Sequence, residues 1–172
     1  MTEQEKITHW VKNGIEKDTI DQAFLWGWNF VCPNHPIKSV DEKIKLLDRG
    51  TTVFETVFKD VSTVNLSKVV NANKSDSLTT SQIRIVFGEM RRIQMNGFSK
   101  DSQTDFLLLK PKLAYAVKRH DKRGLTAFYK LFVEAYEAVD TINDENGKKH
   151  FENLMNLMEA VLAYHKYHGG KE

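Results

Sequence analysis

Residues 79–97 read TTSQIRIVFGEMRRIQMNG, and this stretch decides the fold. Thr79 and Gln82 have the spacing of a capping box, in which a hydroxyl and an amide reciprocally satisfy free backbone N–H groups at a helix start. From there Ile83, Val86, Phe87, Met90 and Ile93 recur on one side at helical intervals, and Gly97 supplies the stop. The pattern predicts a helix over about Thr80–Gln94. Arg84 and Arg91, seven residues apart, lie along one edge of the apolar stripe, and Arg92 points away from it.

The same logic extends downstream. Asp105–Lys110 leads into Pro111, which suits the first turn of a helix because its missing N–H would be unpaired there anyway. That helix should run to about His120, with Leu113, Ala116 and Val117 as a small core face. On another face Lys112, Tyr115, Arg119 and Lys122 follow at i, i+3, i+7 and i+10, a basic stripe with one aromatic inside it. Gly124 then separates a helix over about Leu125–Val139 that turns Leu125, Phe128, Phe132, Ala135, Tyr136 and Val139 inward. The turn formers Asn143-Asp144-Glu145-Asn146-Gly147 end it. A last helix, about Lys148–His168, buries Phe151, Leu154, Met155, Met158, Val161 and Leu162 and stops at Gly169-Gly170.

Upstream the signals are weaker. Helices are expected over Thr2–Asn13 and Ile20–Phe30, then a loop at Cys32-Pro33-Asn34-His35-Pro36, then segments Val40–Asp48 and Thr51–Val61. The β-branched residues of the last segment suit a strand as well, but Phe54, Val57, Phe58 and Val61 at i, i+3, i+4 and i+7 favour a helical face. VNANKSDS at 70–77 is the nearest thing to a linker. Trp26 and Trp28 cannot share one helix face, so one of them is expected to be partly exposed, at the rim of the core or against another chain. Met90, Met95, Met155 and Met158 read as core fillers.

Together these faces predict an all-α fold, a compact bundle of about five to six helices forming a single domain over 1–172. With 172 residues and 41% hydrophobic content, the chain can bury a core unaided, and 3 prolines and 9 glycines argue against a many-stranded fold. The lone Cys32 excludes an internal disulfide and a Cys-x-x-Cys metal or redox motif, which suits a reducing compartment. The N-terminus MTEQEKITHW is polar, and the longest apolar run, Ala23 to Val31, is broken by Asn29. No signal peptide and no membrane span are expected, and a cytoplasmic location follows.

Charge is unevenly distributed. Residues 81–130 hold 11 lysines and arginines against 4 acidic residues, a net +7, whereas 1–80 carry a net −1 and 131–172 a net −4. The formal total of +2 conceals this block. Basic charge gathered in one contiguous stretch is the footprint of a polyanion-binding surface. A merely solvated helix face would instead carry i, i+4 acid–base pairs. Arg119 and Arg123 can grip phosphate oxygens bidentately, and Tyr115 offers a ring to a base or sugar.

Catalytic chemistry finds no foothold. None of His9, His35, His120, His150, His165 and His168 has an arginine four to six residues before it, as one class of helical RNA-cleaving domain requires. His165 and His168, with His150 or Glu159, could be metal ligands, but no cysteine or flanking carboxylate completes a set, and finishing an amphipathic face or meeting a partner subunit is the stronger reading. Gly-x-Ser-x-Gly, Ser-x-x-Lys and the glycine-rich phosphate loops are absent. The reading is of no catalytic residues, no metal and no cofactor.

Three segments carry a resemblance to a known family: Leu-Thr-Thr-Ser-Gln-Ile-Arg at 78–84, Leu-Lys-Pro-Lys-Leu-Ala-Tyr-Ala-Val-Lys-Arg at 109–119, and Glu-Ala-Val-Leu-Ala-Tyr-His-Lys-Tyr-His-Gly at 159–169. In this order they resemble the small helical subunit of the type III-A CRISPR effector, the Csm complex, over roughly 78–169. The resemblance implies a non-catalytic protein whose copies stack along a guide RNA and its paired target RNA beside other Csm subunits, in antiviral defence. It makes Arg84, Lys110, Lys112, Tyr115, Lys118 and Arg119 RNA-facing candidates, and the charge pattern adds Arg91, Lys122 and Arg123. The third segment implies packing and a subunit contact. The long first half, particularly Pro33 to Val70, departs from the compact family pattern. The alternatives are a helical protein–protein adaptor with a basic face and a DNA-binding regulator, although no recognition-helix pair joined by a short glycine turn is evident.

Overall fold

The computed structural model describes residues 1–39 and 68–172, which are all-α with no strand among them. The helices are α1 (Glu3–Asn13), α2 (Lys17–Val31), α3 (Thr80–Asn96), α4 (Gln103–Leu107), α5 (Leu109–His120), α6 (Arg123–Glu137) and α7 (Asp144–Tyr167). A short 3-10 turn at Lys100–Ser102 precedes α4, and residues 68–72 are also helical. The described part thus holds slightly more helices than expected. The segments Val40–Asp48 and Thr51–Val61 lie outside the described residues.

The N-terminal helices are set by local capping. Thr2 Oγ1 accepts the Glu5 N–H at 3.1 Å while Glu5 Oε2 accepts the Thr2 N–H at 2.8 Å, so a reciprocal box starts α1. Gly14, at φ 108°, ends it by donating its N–H to the Trp10 carbonyl. Ile7, Trp10 and Val11 then face inward. The longest of the described helices, α7, packs against both α1 and α2; α6 touches α1, α2 and α5; α3 packs on α5 and α4. One continuous apolar core joins residues of α1 and α2 to those of α3 to α7.

Close approach explains three glycines. At Gly27 a Cβ would stand 2.7 Å from Tyr164 Cβ and 2.8 Å from the His165 nitrogen, so α2 crosses α7 there with no room for a side chain. Gly124 and Gly147 read as helix breaks in the sequence, but both lie inside first turns. A Cβ on Gly124 would meet the Phe30 oxygen at 2.4 Å and the Leu78 nitrogen at 2.5 Å, and one on Gly147 would meet the Asp140 oxygen at 2.5 Å. The turn-forming run at 143–147 therefore opens α7 instead of preceding it: Asn143 Oδ1 caps the helix by accepting the Asn146 N–H at 3.0 Å.

Both tryptophans of Leu-Trp-Gly-Trp are buried, contrary to the expectation that one would be partly exposed. They do face different ways. Trp26 enters the main core edge-on to Trp10 and donates its Nε1–H to Glu3 Oε1 at 3.0 Å. Trp28 enters a second cluster with Leu25, Val31, Cys32 and Ile37, where the loop after α2 folds back and the His35 carbonyl accepts its Nε1–H at 2.9 Å. The covering loop is itself pinned from 70–77. The amide of fully buried Asn73 donates to the Val69 carbonyl at 2.8 Å and to His35 Nδ1 at 2.9 Å, and its oxygen accepts the Asn34 N–H at 2.8 Å. The stretch that resembled a linker is a tie. Met95 also departs from its expected core role, being 86% exposed on α3.

Candidate nucleic-acid interface

Helix α5 is the centre of the basic block. Pro111 lies in its first turn, Leu109 and Leu113 are buried, and Asp121 ends it in the left-handed region at φ 49° with its N–H on the Val117 carbonyl. Lys118, Arg119 and His120 in the last turn favour the negative end of the helix dipole.

Once the apolar side is fixed, helical geometry distributes the remaining residues. Lys110 sits on the flank toward α6, where its Nζ meets Glu137 Oε1 at 2.7 Å; this hydrogen bond raises the lysine's pKa. Lys112 sits on the flank toward α3, with Nζ 3.9 Å from Glu89 Oε1. Between them Tyr115, 68% exposed, Lys118 and Arg119 face outward. None of these three side chains makes an ion pair among the described residues.

Helix α3 supplies the second group. Gln82 Oε1 accepts the Thr79 N–H at 3.0 Å at its start, and Ile83, Val86, Met90 and Ile93 are buried as their spacing predicts. The Glu89 carboxylate pairs with Arg92 on its own helix and faces Lys112 on α5, while Arg92 also reaches Asp105 of α4 at 3.3 Å. The Arg92 hydrogen bond is the largest influence and lowers the Glu89 pKa; desolvation opposes it, and the Lys112 and Arg92 charges add to the lowering. Arg84 and Arg91 are exposed and carry no ion pair among the described residues. Around the helix they stand roughly 150° from Glu89.

The nine candidates therefore do not form one patch. Tyr115, Lys118 and Arg119 form the outward face of α5, and the half-buried Lys122 is the N-cap of α6 at its end. Arg84 and Arg91 form a separate row on α3. Lys110 and Lys112 carry internal acid partners, and Arg123 Nη1 donates to Asn34 Oδ1 at 2.8 Å, so it is tied to the loop after α2. The role of Glu89 as the shared counter-charge escaped the sequence reading because its partner on α5 lies 23 positions away.

His150, His165 and His168 have structural roles. His165 Nε2–H donates to the Leu78 carbonyl at 2.6 Å, and His168 Nε2–H donates to the Phe24 carbonyl at 3.0 Å. His150 Nδ1 accepts the Asp140 N–H at 3.1 Å. Burial lowers the pKa of both His150 and His165. Among the described residues no group of three or more histidine, cysteine or carboxylate side chains is placed to hold a metal ion, and no helix is long and apolar enough to cross a membrane.

A family model described as Csm2 Type III-A matches residues 59–171, beginning upstream of Leu78, where the three quoted segments start. No curated protein and no solved structure matches the chain. The match covers α3 to α7 with both basic rows and leaves out α1 and α2. The chain belongs to the Csm2 Type III-A family, the small subunit of the type III-A CRISPR Csm complex.

Proposed function

We propose that this subunit is a non-catalytic, RNA-binding structural component of its complex, working in the cytoplasm and lining the guide RNA and its target through backbone contacts that ignore sequence. The observation that carries this reading is the outward face of α5, where Tyr115, Lys118 and Arg119 stand exposed without an acid partner among the described residues, inside the +7 block. Lysine and arginine on phosphates give affinity without base readout, as a subunit serving any guide requires. Tyr115 adds a stacking surface that every base can use. One copy needs little affinity of its own, because further copies held on the same strand add through effective concentration.

The test is a titration of the purified protein with labelled single-stranded RNAs of unrelated sequence at two salt concentrations, with duplex DNA alongside. Salt-sensitive binding of equal strength to all the RNAs supports the reading. No RNA retention at low salt overturns it in favour of a helical adaptor whose basic face meets an acidic protein.

A further inference from the structure

The interior of α3 holds one residue that the fold does not require to be glycine. Gly88 is exposed, and among the described residues a Cβ built on it meets nothing within 4 Å. Its situation is opposite to that of Gly27, Gly124 and Gly147, where neighbouring atoms exclude a side chain. Glycine in a helix interior is destabilising relative to alanine, so nothing within the described chain is gained by its presence. Gly88 lies in the row Arg84, Gly88, Arg91 and Met95, at i, i+4, i+7 and i+11, all of it exposed. The two arginines bracket a notch with bare helix backbone at its floor.

From this arrangement we infer that the Arg84–Gly88–Arg91 row is a second polyanion-binding face, at which a single-stranded RNA backbone crosses α3 over Gly88 with a guanidinium gripping it on either side. This rests on the RNA-binding reading above and adds a site distinct from the α5 face. Arg84 and Arg91 are separated by roughly 10 Å along the helix axis, so a strand crossing between them has one guanidinium on each flank. Guanidinium forks suit phosphate oxygens. The other two charged residues in the middle of α3, Glu89 and Arg92, are occupied with each other and with α4 and α5, which leaves this row positive. The absent side chain lets the strand approach closely enough for both arginines to reach it.

The test uses the full chain with Gly88→Ala, Gly88→Gln, the double variant Arg84→Ala/Arg91→Ala, and Arg119→Ala. Thermal melting is read beside titration with a labelled single-stranded RNA at several salt concentrations. Gly88→Ala should raise Tm by about 2–4 °C, because only helix propensity changes. Gly88→Gln should also fold at least as stably as the parent yet lose affinity, by about threefold or more, because a long neutral side chain covers the notch. The double variant should lower the slope of log affinity against log salt by about 1.4, two single-strand phosphate contacts. Unchanged affinity in Gly88→Gln overturns the notch. Unchanged affinity and slope in the double variant, with Arg119→Ala still impaired, overturns the α3 face and leaves RNA binding on α5 standing, with a protein partner as the occupant of the row. No RNA binding by the parent chain overturns both.

Discussion

The Nε2–H of His165 donates to the carbonyl oxygen of Leu78 at 2.6 Å, so the last turn of α7 is fastened to the residue just ahead of α3. The contact is fully buried, Gly170 folds over the ring with no room for a Cβ, and Nδ1 has no hydrogen-bond partner among the described residues. A neutral imidazole fits this arrangement, and desolvation, the largest influence on the group, pushes its pKa below the ordinary value. His150 is shifted in the same direction, also chiefly by burial.

The sign of the resulting pH dependence follows directly. As pH falls below about 6.5 the unfolded chain takes up protons at these two histidines before the folded chain does, so stability falls by up to about 1.4 kcal/mol per pH unit for each. Above neutrality they contribute no slope. Denaturant melts at pH 7.5, 6.5, 5.5 and 5.0 should show a flat upper limb and a falling lower one, with His165→Gln shallower below pH 6.5. A midpoint that does not move between pH 7.5 and 5.0 would rule out the buried neutral pair.

Gly27 gives the sharpest packing prediction. A methyl there would meet Tyr164 Cβ at 2.7 Å and the His165 backbone nitrogen at 2.8 Å, and backbone cannot step aside as a flexible side chain does. Gly27→Ala should destabilise the protein by about 1–3 kcal/mol through forced separation of α2 and α7. Urea denaturation measures it, and a stabilised variant would show that the two helices do not cross this closely.

Asn73 ties residues 34 and 35 to residue 69 through three hydrogen bonds from a fully buried side chain. Asn73→Ala leaves the Asn34 N–H, the Val69 carbonyl and His35 Nδ1 unpaired, at a cost of about 2–3 kcal/mol. The loop over Trp28 should loosen with it. Tryptophan fluorescence at native conditions checks this, since a loop that stays closed leaves the emission of Trp28 unshifted.

The helices were legible where the chain states its own rules, as in the Thr79–Gln82 spacing and the apolar period from Ile83 to Ile93. What escaped was decided by residues far away in sequence. Trp28 is buried because Asn73 pins a loop over it, and Gly124 and Gly147 lack a side chain because Phe30, Leu78 and Asp140 leave no room for one, not because a helix breaks there. The same holds for the candidate site. The sequence identified the basic block, but the partners that occupy Lys110, Lys112 and Arg123 are Glu137, Glu89 and Asn34, none of them a helical neighbour. Met95 sits at a position that periodicity alone assigns to the edge of the stripe, and none of the described elements covers it.

Glu89 offers a gain-of-binding prediction. Its carboxylate is the counter-charge shared by Arg92 and Lys112. Glu89→Gln keeps the shape, removes the negative charge and frees Lys112. RNA affinity at low salt should rise about twofold or more, while stability changes by less than about 1 kcal/mol because the pairs are solvent-screened. Weaker RNA binding by a folded Glu89→Gln would place the polyanion away from the junction of α3 and α5.

Arg119 and Arg123, four residues apart, should behave differently despite their chemical identity. Arg119 is exposed on the outward face of α5 with no ion pair among the described residues, whereas Arg123 donates to Asn34 Oδ1 at 2.8 Å. Arg119→Ala should weaken binding about equally for RNAs of unrelated sequence and reduce the slope of log affinity against log salt by about 0.7, one single-strand phosphate contact. Arg123→Ala should leave that slope near the parent value and instead cost about 0.5–1.5 kcal/mol of stability through the lost tie to the loop. Parallel RNA titrations and melts of the two variants decide the matter. Equal loss of slope in both would mean that Arg123 leaves Asn34 to grip the strand, and loss confined to one RNA sequence would mean that the face reads bases.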